Sequence, residues 1–366
     1  MSLLHQVALT FLKNIGPALS RSLLVYFGDA ERVFTVPKGK LLKVPGIGEK
    51  TLGLIDREAA LVRAEQELKF IEKNHVDVLF YTDGTYPKRL KNCYDAPVLL
   101  YSKGNANLNP HKVISIVGTR NATEYGKQLC RQLIAELQQY PVLIVSGLAL
   151  GIDVAAHKEC LKLDIPTVGV LGHGLDRIYP SQNRATADKM IENGGLLTEF
   201  PSGTLPGREN FPQRNRIVAG VADATVIIEA STKGGALITA EIANSYDRDV
   251  FAFPGRVNDE FSEGCNFLIR NNKAALLSCM ADLAFSLGWE KEDGKKAISE
   301  QLVLPIDLSS DERRLFEIIK DNKTPLAIDG LSIKSNMTVS QLSMNLLNME
   351  MQGYIRSLPG KTYVVN

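Results

Sequence analysis

Two signatures that would settle the ligand at once are missing. No GxGxxG turn follows the first apolar run of the α/β region, and no GxxxxGK[ST] occurs anywhere in the chain. Their absence argues against NAD held on the dinucleotide fingerprint and against ATP held in a P-loop. Cysteine is sparse: Cys93, Cys130, Cys160, Cys265 and Cys279 lie far apart with no CxxC pair. That spacing argues against a zinc or redox site, and unpaired cysteines fit a reducing cytoplasm. No metal and no cofactor are expected. Charge of either sign is nearly balanced, with a formal net charge of +1, so any attraction for a polyanion must be local rather than global. No apolar run reaches the roughly 18 residues that a membrane-crossing helix needs. No basic segment followed by a long apolar run opens the chain, so a signal peptide is not expected and the protein is expected in the cytoplasm.

What is present is ordinary globular composition, 45% hydrophobic and 23% charged over 366 residues. That length predicts two or three domains. Residues 1–70 read as short helices with turns at Asn14-Ile15-Gly16-Pro17 and Val44-Pro45-Gly46-Ile47-Gly48. The second turn resembles a helix-hairpin-helix, a form that offers backbone N–H groups to phosphate. The segment carries ten Lys/Arg against seven Asp/Glu, so DNA contact and a plain structural turn both stay open. Residues 71–110 alternate short apolar runs with turns and read as strands added to the front of the next domain. From Lys112 onward, apolar runs at 113–117, 143–145, 167–171, 196–198, 224–228 and 250–253 alternate with helical stretches. Runs that are apolar throughout argue for a parallel sheet covered on both faces. The expected fold is α/β, an extended Rossmann-like doubly wound sheet over residues 71–288. Residues 289–305 are charged, lack a periodic apolar face, and read as a linker. Residues 306–366 predict three helices and a hairpin around Pro359-Gly360, a winged helix.

In a doubly wound sheet the ligand lies beyond the carboxyl ends of the strands. The turns there are Gly118-Thr119-Arg120, Ser146-Gly147-Leu148-Ala149-Leu150-Gly151, Gly172-His173-Gly174, the segment from Glu199 to Arg216, and Glu229 to Gly235. They supply bare glycine backbone, Arg120, Arg214, Arg216, Lys233, hydroxyls and the aromatic Phe211, an inventory suited to phosphates with bases attached. Arg120 is expected to face the ligand, with Gly118 clearing space for phosphate. Of Arg214 and Arg216, at least one is expected on phosphate and one could be an internal pair. Phe211 is either core or a stacking platform. Lys233 precedes two glycines at a helix start. Asp153 reads as the N-cap of its helix. His157 reads as a core or capping histidine, because no serine or cysteine nucleophile is evidently paired with it. Glu199 and Glu229, with no second acid-base partner, read as structural.

The set Gly118-Thr119-Arg120, Ser146 to Asp153 with Ala155-Ala156-His157, Gly172-His173-Gly174-Leu175-Asp176 with Tyr179-Pro180 and Asn183, and Phe211-Pro212-Gln213-Arg214-Asn215-Arg216 closely resembles the DNA-processing protein A (DprA, or Smf) family. Gly234 to Ala240, Phe253-Pro254-Gly255 and Gly264-Cys265-Asn266 continue the match. The stretch before Leu237 reads Lys-Gly-Gly-Ala where the family more often has a Ser-Gly-Ser type of turn. The resemblance implies a binding protein rather than an enzyme. It implies single-stranded DNA as ligand, the RecA recombinase as partner, a homodimer, and a role in natural transformation. Carried over by residue, the DNA site would use Arg120, Ser146, Gly147, Phe211, Arg214, Asn215, Arg216 and Lys233.

One enzyme reading competes, a nucleotide phosphoribohydrolase with Gly234-Gly235 and Glu241 in a phosphate loop. Here the glycines are followed by Ala-Leu-Ile-Thr-Ala-Glu, which puts the threonine and glutamate out of step. The C-terminal domain balances seven Lys/Arg against seven Asp/Glu, and its third helix has neither Lys nor Arg. A duplex-reading helix needs such residues near phosphate, so this domain is expected to serve as a protein-interaction or auxiliary module, with weak DNA contact left open.

Overall fold

A computed structural model of the chain describes residues 2–289, 308–322, 326–358 and 362–365. The chain divides into two compact units, Met1–Glu292 and Asp293–Asn366.

The first unit opens with helices α1 (Leu3–Leu9), α2 (Pro17–Phe27), α3 (Ala30–Thr35), α4 (Glu49–Leu54) and α5 (Arg57–Asn74). Asp29 and Asp56 cap α3 and α5 by accepting from backbone N–H groups at 2.8 and 2.9 Å. These helices share one core with the first two strands of the sheet: Val7, Leu23, Leu41 and Ala64 pack with Phe80, Leu99 and Tyr101. The helices therefore close over the edge of the sheet instead of standing apart as an independent body.

The sheet has nine strands: β1 (Asp77–Phe80), β2 (Leu99–Gly104), β3 (Lys112–Val117), β4 (Val142–Ser146), β5 (Thr167–Val170), β6 (Gly194–Thr198), β7 (Ala224–Ile227), β8 (Asp249–Ala252) and β9 (Ala275–Leu276). Their order is β1-β2-β6-β5-β4-β3-β7-β8-β9. From β6 to β9 every pairing is parallel, and β1 and β2 join antiparallel at one side. Strands β3 to β7 are buried along nearly their whole length, which is why they read as unbroken apolar runs. A short helix, α6 (Lys88–Lys91), precedes β2. Crossovers are made by α7 (Glu124–Leu137), α8 (Ile152–Lys162), α9 (Arg184–Glu192), α10 (Asn210–Gly220), α11 (Gly235–Ser245) and α12 (Glu263–Arg270); α13 (Met280–Ser286) follows β9. A 3-10 turn, Ser181–Asn183, runs into α9. From β3 the order runs outward through β4, β5, β6 on one side and β7, β8, β9 on the other. Such a reversal opens a crevice at the carboxyl ends of the strands.

The second unit contains α14 (Ser310–Lys320), β10 (Leu326–Ala327), α15 (Ile328–Ser335), α16 (Val339–Met351), β11 (Ile355–Leu358) and β12 (Thr362–Val365), with sheet order β10-β12-β11. Capping boxes start α14 (Ser309 with Glu312) and α16 (Thr338 with Gln341). Leu315, Leu331, Leu342, Leu346, Met349 and Ile355 form its core. The linker expected from 289 onward lies, after Trp289, outside the described residues, as does the Pro359-Gly360 turn.

Candidate nucleic-acid interface

The crevice is a cavity of about 450 Å³ walled by the ends of β3, β4 and β7 and by α10 and α11. Its lining includes Gly118, Arg120, Gly147, Arg208, Phe211, Arg214, Asn215, Gly234 and Gly235. A smaller lobe, about 50 Å³, adjoins it. Arg120, Gly147, Ala149, Phe211 and Arg214 line both, while Leu150, His173, Tyr179 and Pro180 belong to the lobe alone.

Arg120 is exposed at the end of β3. Its turn is pinned on both sides: Thr119 N–H donates to the Glu229 carbonyl (2.7 Å), and Ile152 N–H donates to the Thr119 carbonyl (3.2 Å). The Arg120 guanidinium lies over the Phe211 ring, 5.1 Å from its centroid. Neither strand-end glutamate holds it. Glu229 accepts from Thr123 N–H (2.9 Å) and Thr123 Oγ1 (2.5 Å), and Glu199 pairs with Arg216. Gly118 has a different job from the one expected. A Cβ there would meet Ile152 Cγ1 at 2.5 Å and the Glu229 carbonyl at 3.0 Å, so packing against the start of α8 and the turn after β7, and not phosphate clearance, demands the glycine.

The turn after β4 is rigid. Leu148 takes φ +54° and is fully buried. Asn183 Nδ2 donates to its carbonyl at 2.8 Å. Gly151, φ +81°, is the N-cap of α8. Asp153 is thus not the cap: it sits in the first helical turn and accepts from Gly147 N–H at 3.2 Å, turning its charge back onto the loop. Arg214, buried on α10, donates through Nη1 to the carbonyls of Gly147 and Val170, the latter at 2.7 Å. The Gly147 peptide is therefore gripped on its N–H by a carboxylate and on its carbonyl by a guanidinium. Burial pushes the Asp153 carboxyl up, against Arg214 and the turn N–H groups, which pull it down. Burial likewise lowers Arg214 to about 10, with Asp153 opposing and the nearby Arg120 adding to the fall. Arg214 stays cationic at neutral pH, and its Nε is buried with no partner among the described residues. Two cations that repel one another at the wall of the cleft invite an anion between them.

Three of the sequence-derived site residues are placed differently from the expectation. Ser146 is fully buried and its Oγ donates to the Ile116 carbonyl at 2.6 Å, so the hydroxyl stitches β4 to β3 and is not offered to the cleft. Arg216 is held by Glu199 and by the Asp95 carbonyl; it is the internal pair, and burial raises the Glu199 carboxyl even so. Arg214 reaches the cleft wall, but its hydrogen bonds go to the fold. Phe211 and Asn215 do line the cavity, and Lys233 is exposed on the rim turn before α11. Phe211 can sit in the first turn of α10 with Pro212 after it because proline costs no hydrogen bond there. The cleft also has a cation that sequence reasoning missed, the exposed Arg208 on the loop into α10. His157 is a core residue, with Nδ1 2.7 Å from Thr167 Oγ1 and a pKa that burial lowers to about 3.

The loop from β6 to α10 is anchored to the N-terminal helices. The buried Glu67 of α5 accepts from Ser202 N–H (2.8 Å) and Oγ (2.6 Å), and Arg63 pairs with Glu67 at 2.9 Å.

A doubly wound α/β sheet with fixed glycine turns, exposed arginines and an aromatic at its carboxyl edge defines a Rossmann-like protein with a cationic cleft at that edge. Residues 77–288 match the family model of the DNA recombination-mediator protein A, and residues 303–361 match the DprA winged helix domain. The chain belongs to the DprA/Smf family. It is 31% identical to the Smf protein of Synechocystis sp., over 98% of each chain. Its fold is similar to that of DNA processing protein A from Streptococcus pneumoniae (TM-score 0.67, 30% identity, covering 78% of this chain and 98% of that one). It is also similar to the Helicobacter pylori protein solved for its single-stranded DNA binding mode (TM-score 0.53, 30% identity, covering 58% and 95%). Among the described residues no helix is long and apolar enough to cross a membrane.

Proposed function

We propose that this protein binds single-stranded DNA in the β3/β4/β7 cleft, without catalysis, and hands it to a RecA-type recombinase in the cytoplasm, acting as a homodimer. The observation that carries the reading is the stack of the Arg120 guanidinium on Phe211 at the mouth of a glycine-walled cavity. Phosphate is met by Arg120, Arg208 and Lys233, with Arg214 charging the wall from behind, and an unpaired base is met by Phe211. Neither device reads base edges, so binding is sequence-tolerant. Membership of a recombination-mediator family and the single-strand ligand of the Helicobacter pylori relative support the same reading. The competing hydrolase would need Glu241 at the phosphate loop. Glu241 instead pairs with Lys273 on the exposed side of α11 at 3.1 Å. The winged helix supports a protein-facing role: α16 exposes Met344, Leu347 and Met351 and carries no Lys or Arg.

The test is an anisotropy titration of the full chain with an oligothymidine strand and with a duplex of equal length. The single strand should bind more tightly by at least tenfold. Equal affinity for both, or release of free base from nucleoside monophosphates, would reject the proposal.

A further inference from the structure

Apart from Phe211 and the arginines, the residues of the smaller lobe have no duty in the function proposed above. One wall is Phe211, over whose ring the Arg120 guanidinium lies 5.1 Å from the centroid. The opposite wall is Tyr179. The two rings lie 6.2 Å apart between centroids and 36° from parallel. Leu150 and Pro180 complete an apolar rim. Tyr179 and Leu150 are large apolar groups left 49% and 42% exposed, although both sit beside a covered core.

From this geometry we infer that Tyr179 and Phe211 form a clasp that takes one unpaired nucleobase between their rings. The inference rests on the single-strand reading and deepens it. A base stacked on both faces needs about twice the 3.4 Å stacking rise, or about 6.8 Å between the flanking rings. The observed spacing falls short by only a few tenths of an ångström, and flattening the tilt supplies that room. Tyr179 is free to turn, because half its surface faces solvent. Its backbone is not: Tyr179 N–H donates to His173 Nε2 at 3.2 Å, and His173 Nδ1 in turn lies 2.9 Å from the Gly174 carbonyl. That pattern fixes the proton on Nδ1 and uses both ring nitrogens. The histidine at the floor of the lobe therefore has nothing left to offer a base edge. The clasp grips any base by its faces, holds larger purines more firmly than pyrimidines, and admits no base that is still paired.

The stack then runs Arg120, Phe211, base, Tyr179. The phosphates on either side of the clasped base fall to the exposed Arg120 and Arg208, so one subsite fixes the register of the strand along the cleft.

The experiment compares full-length wild type with Tyr179→Leu, Tyr179→Phe and Arg120→Ala. Each is titrated against an oligoadenine strand and against an abasic strand of the same length. Tyr179→Leu should lose about tenfold in affinity for the oligoadenine strand, the order expected for one base–aromatic stack. It should match wild type on the abasic strand, and Tyr179→Phe should match wild type on both. Arg120→Ala should weaken both strands. The clasp is refuted if Tyr179→Leu binds oligoadenine as wild type does, or loses equally on the abasic strand, since a merely structural tyrosine would cost both. In either case, a wild type that binds and an Arg120→Ala that does not leave the single-strand reading standing. A wild type with no affinity for either strand overturns both.

Discussion

Replacing Arg120 by alanine isolates the electrostatic part of the cleft, because this side chain is exposed and holds no neighbour by an ion pair that the fold needs. Three exposed cations face the cleft or its rim, Arg120, Arg208 and Lys233. Each phosphate neutralised on a single strand contributes about −0.7 to the slope of log affinity against log salt, so the wild type should show about −2 and Arg120→Ala about −1.4. Between 50 and 200 mM salt the wild type should then lose about twentyfold in affinity and the variant about sevenfold. The cation–π contact on Phe211 is already made without DNA, so its loss, about 0.5–1 kcal/mol at an exposed site, falls on stability and leaves the salt slope to report phosphate contact alone. Anisotropy titrations at four salt concentrations measure the slope in one series. A folded Arg120→Ala protein with the wild-type slope would refute the reasoning, because it would mean that phosphate does not approach the end of β3.

Two further outcomes follow from groups beneath the cleft. Arg214→Ala should destabilise the fold by about 3–5 kcal/mol, since it leaves the Asp153 carboxylate buried beside two unpartnered carbonyls, and chemical denaturation measures the loss. A loss under 1 kcal/mol would show that Arg214 is a ligand residue rather than a strut. His157 is neutral in the fold and titrates near 3, against about 6.5 when unfolded. The unfolded chain therefore binds the extra proton as pH falls below 6.5, and stability drops by up to about 1.4 kcal/mol per pH unit from this group until pH approaches 3. Asp153, raised by burial, acts in the opposite sense: its contribution is present at low pH and lost as pH rises through its folded value. Comparing His157→Gln with wild type between pH 7 and pH 4.5 separates the two, and the variant should show the shallower decline.

The strands were legible because both of their faces are covered. Lys112–Val117 and Ala224–Ile227 could not be anything but interior strands of a parallel sheet. The two-residue β9 was not legible, for the converse reason that both its residues are exposed. Among the site residues, those whose role follows from their own turn, Arg120, Gly147 and Phe211, lie at the cleft. Those whose role depends on a distant partner do not follow the local pattern. Ser146 is claimed by Ile116, and Arg216 by Glu199 and Asp95, across gaps that no spacing rule spans. Arg208 hid for a simpler reason: one arginine beside Glu209 in a loop reads as solvated surface, and only the path of the loop into α10 brings it to the cavity. The helices of residues 1–70 read as a separate module because their apolar periodicity does not reveal that its partner is β1 and β2.

The grip on the Gly147 peptide binds three positions, 147, 153 and 214, into one unit. An alanine at 147 would drive its methyl group into the Arg214 guanidinium, so the arginine could stay only by leaving its present position. Losing the arginine first strands Asp153. Neither of positions 147 and 214 can change alone without disturbing the groups held by the other. Redesign of this cleft for another polyanion therefore has to treat 147, 153 and 214 as one simultaneous choice, while Tyr179, Arg208 and Lys233 on the rim can be varied one at a time.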